Sequence, residues 1–180
     1  MDRRTLRSAK SKTALKTAFL ELFRWKDPEE ITVVELCRRA GVNRSTFYAH
    51  YGYMDDLIRE VLWESVALVF GAMETQWDLP LENGGAERGV IAAYIHRFLN
   101  DPTLRWFCTC RNSGNYRTLI IRAQVDLTLG PTKDAATYYA AYFQNAGVLN
   151  LILEWFNEGP SIPEETIVEI IHEFSKTMYK

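Results

Sequence analysis

Apolar residues return at α-helical spacing through nearly the whole sequence, and this feature most restricts the fold. Between Ser11 and Trp25 they stand at Leu15, Ala18, Phe19, Leu22 and Phe23, the stripe of one buried helix face. The stretch "WKDPEEI" interrupts that helix at Pro28, because the residue ahead of a proline avoids helical geometry. A second helix starts at Thr32, with Glu35 three positions on completing a capping-box pattern. Its stripe is Val33, Leu36, Cys37 and Ala40, and Gly41 closes it, since glycine enters the left-handed conformation without steric cost. A third, short helix follows from Asn43, a favoured N-cap, and Val42 with Phe47 forms the pattern of a hydrophobic staple.

A fourth helix is predicted from about Met54 to Trp77, followed by the turn-rich "DLPLENGG". Further helices are expected near 86–100, 102–110, 114–129, 133–157 and 163–179, separated by Asp101-Pro102, "RNSGN", "LGPTKD" and "NEGPSIP". No segment shows the period of two that a half-buried strand needs. The expected fold class is all-α.

The formal net charge of −2 hides an asymmetry. Residues 1–60 hold 12 Lys/Arg against 9 Asp/Glu, a net of +3, while residues 61–180 hold 9 against 14, a net of −5. A basic head on an acidic body suggests that only the head meets a polyanion. Hydrophobic residues make up 47% and charged residues 24%, which sets the chain apart from disordered sequences. No apolar run nears the roughly 20 residues of a membrane span, and "MDRRTLRSAKSK" lacks the apolar core of a signal peptide, so the expected compartment is the cytoplasm. Three cysteines argue against a disulfide scaffold: Cys37 lies in a helical apolar pattern, and Cys108 and Cys110 form a CxC without a second pair at zinc-type spacing. No Ser/His/Asp arrangement, HExxH or phosphate-binding glycine loop is present, so the expectation is a protein that is not an enzyme, with no cofactor and no metal.

Helices two and three are joined by about three residues around a glycine, the spacing of a helix-turn-helix. Placed at 100° per residue, Phe47 and Tyr51 lie one turn apart on an inward face of the third helix. Arg44, Ser45, Tyr48 and Ala49 take much of the remaining arc, and Thr46 and His50 share a flank. An outward helix face more often carries Glu and Lys; this one carries neither. Arginine can donate two hydrogen bonds to guanine, and Ser or Thr can reach bases or phosphates.

The segment "ITVVELCRRAGVNRSTFYAHYGYMDDLI", with "ALKTAFLELF" before it, resembles the DNA-binding segment of the TetR family of bacterial transcription regulators. The resemblance is close over about residues 9–60 and rests on the first-helix pattern, the "AGV" turn and the "TFYAHY" core occurring in order. It implies a helix-turn-helix DNA-binding domain over residues 1–53 and a helical effector-binding and dimerisation domain over 54–180. By position, it makes Arg44 and Ser45 base readers, sets Thr46, Tyr48 and His50 on phosphate or sugar, and gives Thr32 a further phosphate. Arg3, Arg4 and Arg7 are expected as a basic arm or a tail. One departure stands out: where the family commonly has a lysine at the start of the fourth helix, this chain has Met54, followed by Asp55 and Asp56.

The same resemblance implies a homodimer through the helices near 134–157 and 163–179, bound to double-stranded operator DNA. The last helix offers the stripe Ile167, Ile170, Ile171, Phe174 and Met178. A pocket in the central helices would take an unknown small-molecule effector, with Trp63, Tyr94, Trp106 and Arg117 as candidate contacts. The expected function is a dimeric repressor released from its operator by that effector. The alternative is a DNA-binding regulator without a small-molecule ligand, acting as an activator or under a protein partner.

Overall fold

The computed structural model describes residues 3–71, 88–130, 134–159 and 161–178, with side chains over 5–70, 88–130, 134–159 and 161–176. Among the described residues the chain forms nine α-helices and no strand. They are α1 (Arg3–Phe23), α2 (Val33–Ala40), α3 (Arg44–Tyr48), α4 (Met54–Gly71), α5 (Arg88–Asn100), α6 (Pro102–Thr109), α7 (Ser113–Leu129), α8 (Ala135–Asn157) and α9 (Glu164–Met178), with a 3-10 turn over Pro28–Glu30 between α1 and α2. None is long and apolar enough to cross a membrane. The part of the fourth predicted helix that includes Met73 and Trp77 lies outside the described residues, as does the Met178 side chain.

Two compact units divide the chain. The first runs to Leu62 and includes Thr109–Arg111; the second holds Trp63–Cys108 and the chain from Asn112 onward. The first unit takes in α4 as far as Leu62, and Leu57, Ile58 and Val61 on that half of the helix are buried.

In the first unit the predicted stripe of α1 faces inward. Leu15 and Phe19 are fully buried, Ala18 and Phe23 nearly so, and Leu22 is half-buried at the edge. They share a core with Ile31, Leu36, Cys37, Phe47, Tyr51 and Leu57, each side chain of this kind contributing about 1.5–3 kcal/mol through removal from water. The start of α1 differs from expectation: it begins at Arg3 rather than near Ser11, so the segment holding Arg3, Arg4 and Arg7 is helical rather than a disordered tail. Residues 3–10 carry no apolar stripe, but Arg, Leu, Ala and Lys are good helix formers. Extending an existing helix also adds one hydrogen bond per residue without a new nucleus.

In the second unit, α7 packs along α8 and α5 along α9. Its core is drawn from Val90, Ile91, Tyr94, Ile95 and Phe98 of α5, Leu104 and Phe107 of α6, Ile120, Ile121 and Val125 of α7, Leu149, Ile152 and Leu153 of α8, and Ile167 and Ile171 of α9. The predicted stripe of α9 splits: Ile167 and Ile171 are buried, whereas Ile170 and Phe174 are exposed.

Candidate nucleic-acid interface

The turn between α2 and α3 is set by Gly41, which adopts φ 66° and ψ 31°. Its N–H donates to the carbonyl of Arg38 at 3.3 Å, and the N–H of Val42 donates to Cys37 at 3.0 Å. These two bonds form the Schellman closure of α2, which a left-handed residue makes possible. At the other end of α2, Thr32 Oγ1 accepts from the N–H of Glu35 at 3.2 Å. The reciprocal half of the expected capping box is replaced by an ion pair, since the Glu35 carboxylate takes Lys26 Nζ at 2.7 Å.

The short helix α3 is held by one side chain. Phe47 is fully buried, its ring 5.7 Å from that of Tyr51 and 5.3 Å from that of Tyr48. Tyr51 and His50 follow the helix proper in a tightened turn, both of their N–H groups donating to the Phe47 carbonyl at 2.9 Å. With Phe47 and Tyr51 inward, Arg44, Ser45, Tyr48 and Ala49 are all exposed, and Thr46 and His50 are half-buried on one flank. Tyr48 keeps 52% of its surface in solvent, a large exposure for an aromatic residue on a five-residue helix.

The cations of this unit fall into two groups. Lys12 and Lys16 both hold Glu60 of α4, at 2.8 and 3.3 Å, and Arg39 of α2 holds Glu21 of α1. Burial pushes the Glu60 carboxyl up, but the hydrogen bonds and charges of Lys12 and Lys16 outweigh it and hold the group below the ordinary range. These pairs tie helix to helix. Arg38, Arg44 and Arg59 are exposed and make no ion pair among the described residues, so their charge is open to an outside anion. Burial pushes the Cys37 thiol up despite the Arg44 charge, which keeps it a packing group rather than a nucleophile.

Residues 15–61 match the family model described as "Bacterial regulatory proteins, tetR family". The N-terminal segment of the chain is therefore similar to the DNA-binding part of the TetR family. A curated relative, the HTH-type transcriptional regulator YxbF of Bacillus subtilis (strain 168), is 34% identical over 179 residues. That alignment covers 97% of this chain and 46% of the relative, so the chain spans about half the relative's length. Among solved structures, the TetR family repressor AlkX from Dietzia sp. strain DQ12-45-1b, implicated in biodegradation of n-alkanes, is 15% identical with a TM-score of 0.46, over 94% of this chain and 97% of that one. A putative TetR-family transcriptional regulator from Mesorhizobium loti MAFF303099 is 16% identical with a TM-score of 0.48, over 99% and 97%.

Within the TetR-type domain the structure brings the six expected contact residues onto two helices and their flanks. Thr32 is exposed, and with its oxygen accepting from Glu35 the hydroxyl proton remains free to donate. Arg44, Ser45 and Tyr48 share the open face of α3, while Thr46 and His50 lie on its flank. At the start of α4, Met54 is half-buried and Asp56 Oδ2 accepts from the N–H of Tyr53 at 2.9 Å. That carboxylate is therefore a helix cap, and Asp55 alone of the two stands exposed without such a bond.

Two further residues escape a local reading of the TetR-type segment. Asn43 holds the N-cap position of α3 by its backbone, yet its side chain makes no capping bond and is exposed, leaving an amide beside Arg44. Ser11 lies 39 positions before His50, and its Oγ is 2.8 Å from His50 Nε2. The capping preference of asparagine hid the first, and sequence distance hid the second.

The four residues named for an effector fall into different environments of the second unit. Trp63 is exposed on α4, Trp106 is half-buried on α6, and Tyr94 of α5 is buried. Arg117 donates twice to the carbonyl of Cys108, at 2.8 Å from Nη2 and 3.2 Å from Nε. Burial pushes the Tyr94 phenol well above its ordinary range, only partly offset by the hydrogen bond it accepts from Gln124 Nε2 at 2.7 Å. Gln124 is itself 1% exposed, and its Oε1 is buried without a hydrogen-bond partner among the described residues. Cys108 is buried and Cys110 half-buried.

Proposed function

We propose that this chain is a DNA-binding transcriptional regulator that works as a two-fold homodimer in the cytoplasm, on the nucleoid. In this reading it is a repressor released from its operator by a small-molecule effector, and it acts without catalysis. The observation that carries the DNA reading is the surface of α3: Phe47 is fully buried, and Asn43, Arg44, Ser45 and Tyr48 are turned to solvent beside it. Arginine and asparagine are the side chains that pair bidentately with guanine and adenine, and hydroxyls hold phosphates.

One short helix reads too few base pairs to select a site, so the active species is a dimer with two helices in successive major grooves, about 34 Å or a multiple apart. Tyr139 and Phe143 of α8 stand exposed at 68% and 63%, one turn apart, and Ile170 and Phe174 of α9 repeat that spacing at 43% and 63%. Exposed Ala140 and Gly147 on α8 permit close approach of a second backbone. These helices are the proposed dimer interface. The effector would be a molecule with an apolar body and an N–H or O–H donor to satisfy Gln124 Oε1 beside Tyr94, whose ring packs against those of Phe70 and Phe98.

The test is selection of duplexes from random-sequence DNA by the full chain, then footprinting with and without metabolite fractions. Recovery of a two-fold symmetric site, with binding that weakens steeply as salt rises, supports the reading. Failure to enrich any sequence overturns it. A footprint that no metabolite alters, together with a Gln124→Leu variant of unchanged behaviour, turns the reading to a regulator without a small-molecule ligand. The engaged Arg117 and exposed Trp63 favour that alternative.

A further inference from the structure

The hydroxyl of Ser11 stands between two partners. Its oxygen lies 2.9 Å from the carbonyl of Ser8, three residues back along α1, and 2.8 Å from Nε2 of His50. A carbonyl has no proton, so the Ser11 O–H donates to Ser8. A serine hydroxyl has a single proton to give, so the bond to His50 forms only when Nε2 carries a hydrogen and donates it to the Ser11 oxygen. In the neutral ring this leaves Nδ1 without a proton. A bare ring nitrogen and a phosphate oxygen are both acceptors, and they bond only after Nδ1 is protonated and the ring becomes an imidazolium.

We propose that Ser11 is a positioning residue that fixes His50 in its Nε2–H tautomer, so that His50 holds a DNA phosphate only as the imidazolium and DNA binding takes up a proton. This rests on the DNA-binding reading above and adds a residue of α1 to the interface. The charged and titratable groups around the ring do not substitute for that proton. On α1, Lys12 lies over the Tyr51 ring at 5.7 Å and shares the Glu60 carboxylate of α4 with Lys16, at 2.8 and 3.3 Å, so that cluster keeps one net positive charge. Tyr51 presents its ring to His50 at 6.2 Å between centroids. Arg7 and Lys10 on α1 and Asp55, Asp56 and Arg59 on α4 are exposed. The sign follows directly: with the ring protonated both N–H groups are present and the contact is complete, and with the ring neutral the phosphate contact is lost.

Two measurements on the full chain test the proposal. In the free protein, nitrogen-15 spectra of labelled histidine with the ring neutral should show the Nε2–H tautomer at His50 in the wild type and in Ser11→Thr, and a mixture of tautomers in Ser11→Ala. An Nδ1–H tautomer in the wild type, or no change in Ser11→Ala, overturns the role of Ser11. On a duplex selected from random-sequence DNA, wild-type affinity should fall as pH rises from about 5 to 8, by up to about tenfold per pH unit for each protomer. His50→Gln should be flat over that range. Ser11→Ala should fall less than about threefold, because a neutral ring released from Ser11 can turn its N–H to the phosphate. Wild-type binding no steeper than that of His50→Gln overturns the proton uptake. A chain that selects no duplex at any pH overturns the phosphate contact along with the DNA reading, and the tautomer spectra then still decide whether Ser11 sets the ring.

Discussion

The two units expose opposite chemistry on helices of similar make-up. In the first, α3 keeps its aromatic Phe47 inside and turns Arg44, Ser45 and the Tyr48 hydroxyl outward. In the second, α8 and α9 bury aliphatic residues such as Leu149, Ile152 and Ile167 and leave the rings of Tyr139, Phe143 and Phe174 in solvent. The first unit also exposes Trp25, Val34 and Tyr53, but these come from three separate segments rather than one ridge. A face of donors and charge suits a hydrated polyanion, whereas a ridge of rings gains only when another apolar surface covers it. In the function proposed above, one face meets DNA and the other a second copy of the chain.

The largest test of this contrast is Phe47→Ala. Removing a fully buried ring should cost about 3–5 kcal/mol and unfold the first unit before the second, seen as a split denaturation curve. A single unshifted transition would mean that α3 is not held by this anchor. Next, Phe143→Asp combined with Phe174→Asp should turn a dimer into a monomer by sedimentation, each exposed ring being worth about 2 kcal/mol or more as an interface anchor. Stability of the monomer should barely change, because these rings are already in solvent; a variant that unfolds instead would assign them to the core.

Gly41→Ala follows in size. Nothing lies within 4 Å of a Cβ at that position, so its cost is the left-handed backbone alone, about 1–2 kcal/mol by urea denaturation. The smallest effect belongs to Glu60→Gln, about 1 kcal/mol at neutral pH. The folded-state carboxyl of Glu60 is held low, so its contribution is present above the unfolded carboxylate value of about 4.3 and is lost as pH falls through the folded value. Wild type and variant should therefore converge in acid, and a constant difference down to low pH would contradict the pairing with Lys12 and Lys16.

What was legible in the sequence is what depends on near neighbours. The period of apolar residues fixes the inward faces of α1 and α2, and the glycine after Ala40 fixes where α2 stops. The open arc of α3 follows from Phe47 and Tyr51 once those two are inward. Features that depend on distant or competing partners were not legible. Helix α1 extends to Arg3 on propensity alone, without an apolar stripe to mark it. Glu35 has two possible partners, and the lysine on the preceding loop outcompetes the backbone N–H at the helix start. The stripe of α9 is a single pattern in sequence but two faces in space, one buried and one open. The expected effector residues shared aromatic or cationic character, which says nothing of whether Arg117 is already engaged by a backbone carbonyl.

The central claim is that the open face of α3 reads DNA bases, and Arg44→Ala tests it most directly. Arg44 is exposed and makes no ion pair among the described residues, so its removal leaves the fold intact. Wild type and variant would be carried through the same random-sequence selection and their base preferences compared position by position. Arg44→Ala should lose about 1–3 kcal/mol in affinity, with preference relaxed at one base pair of each half-site and retained elsewhere. Identical affinity and identical preference at every position would contradict it.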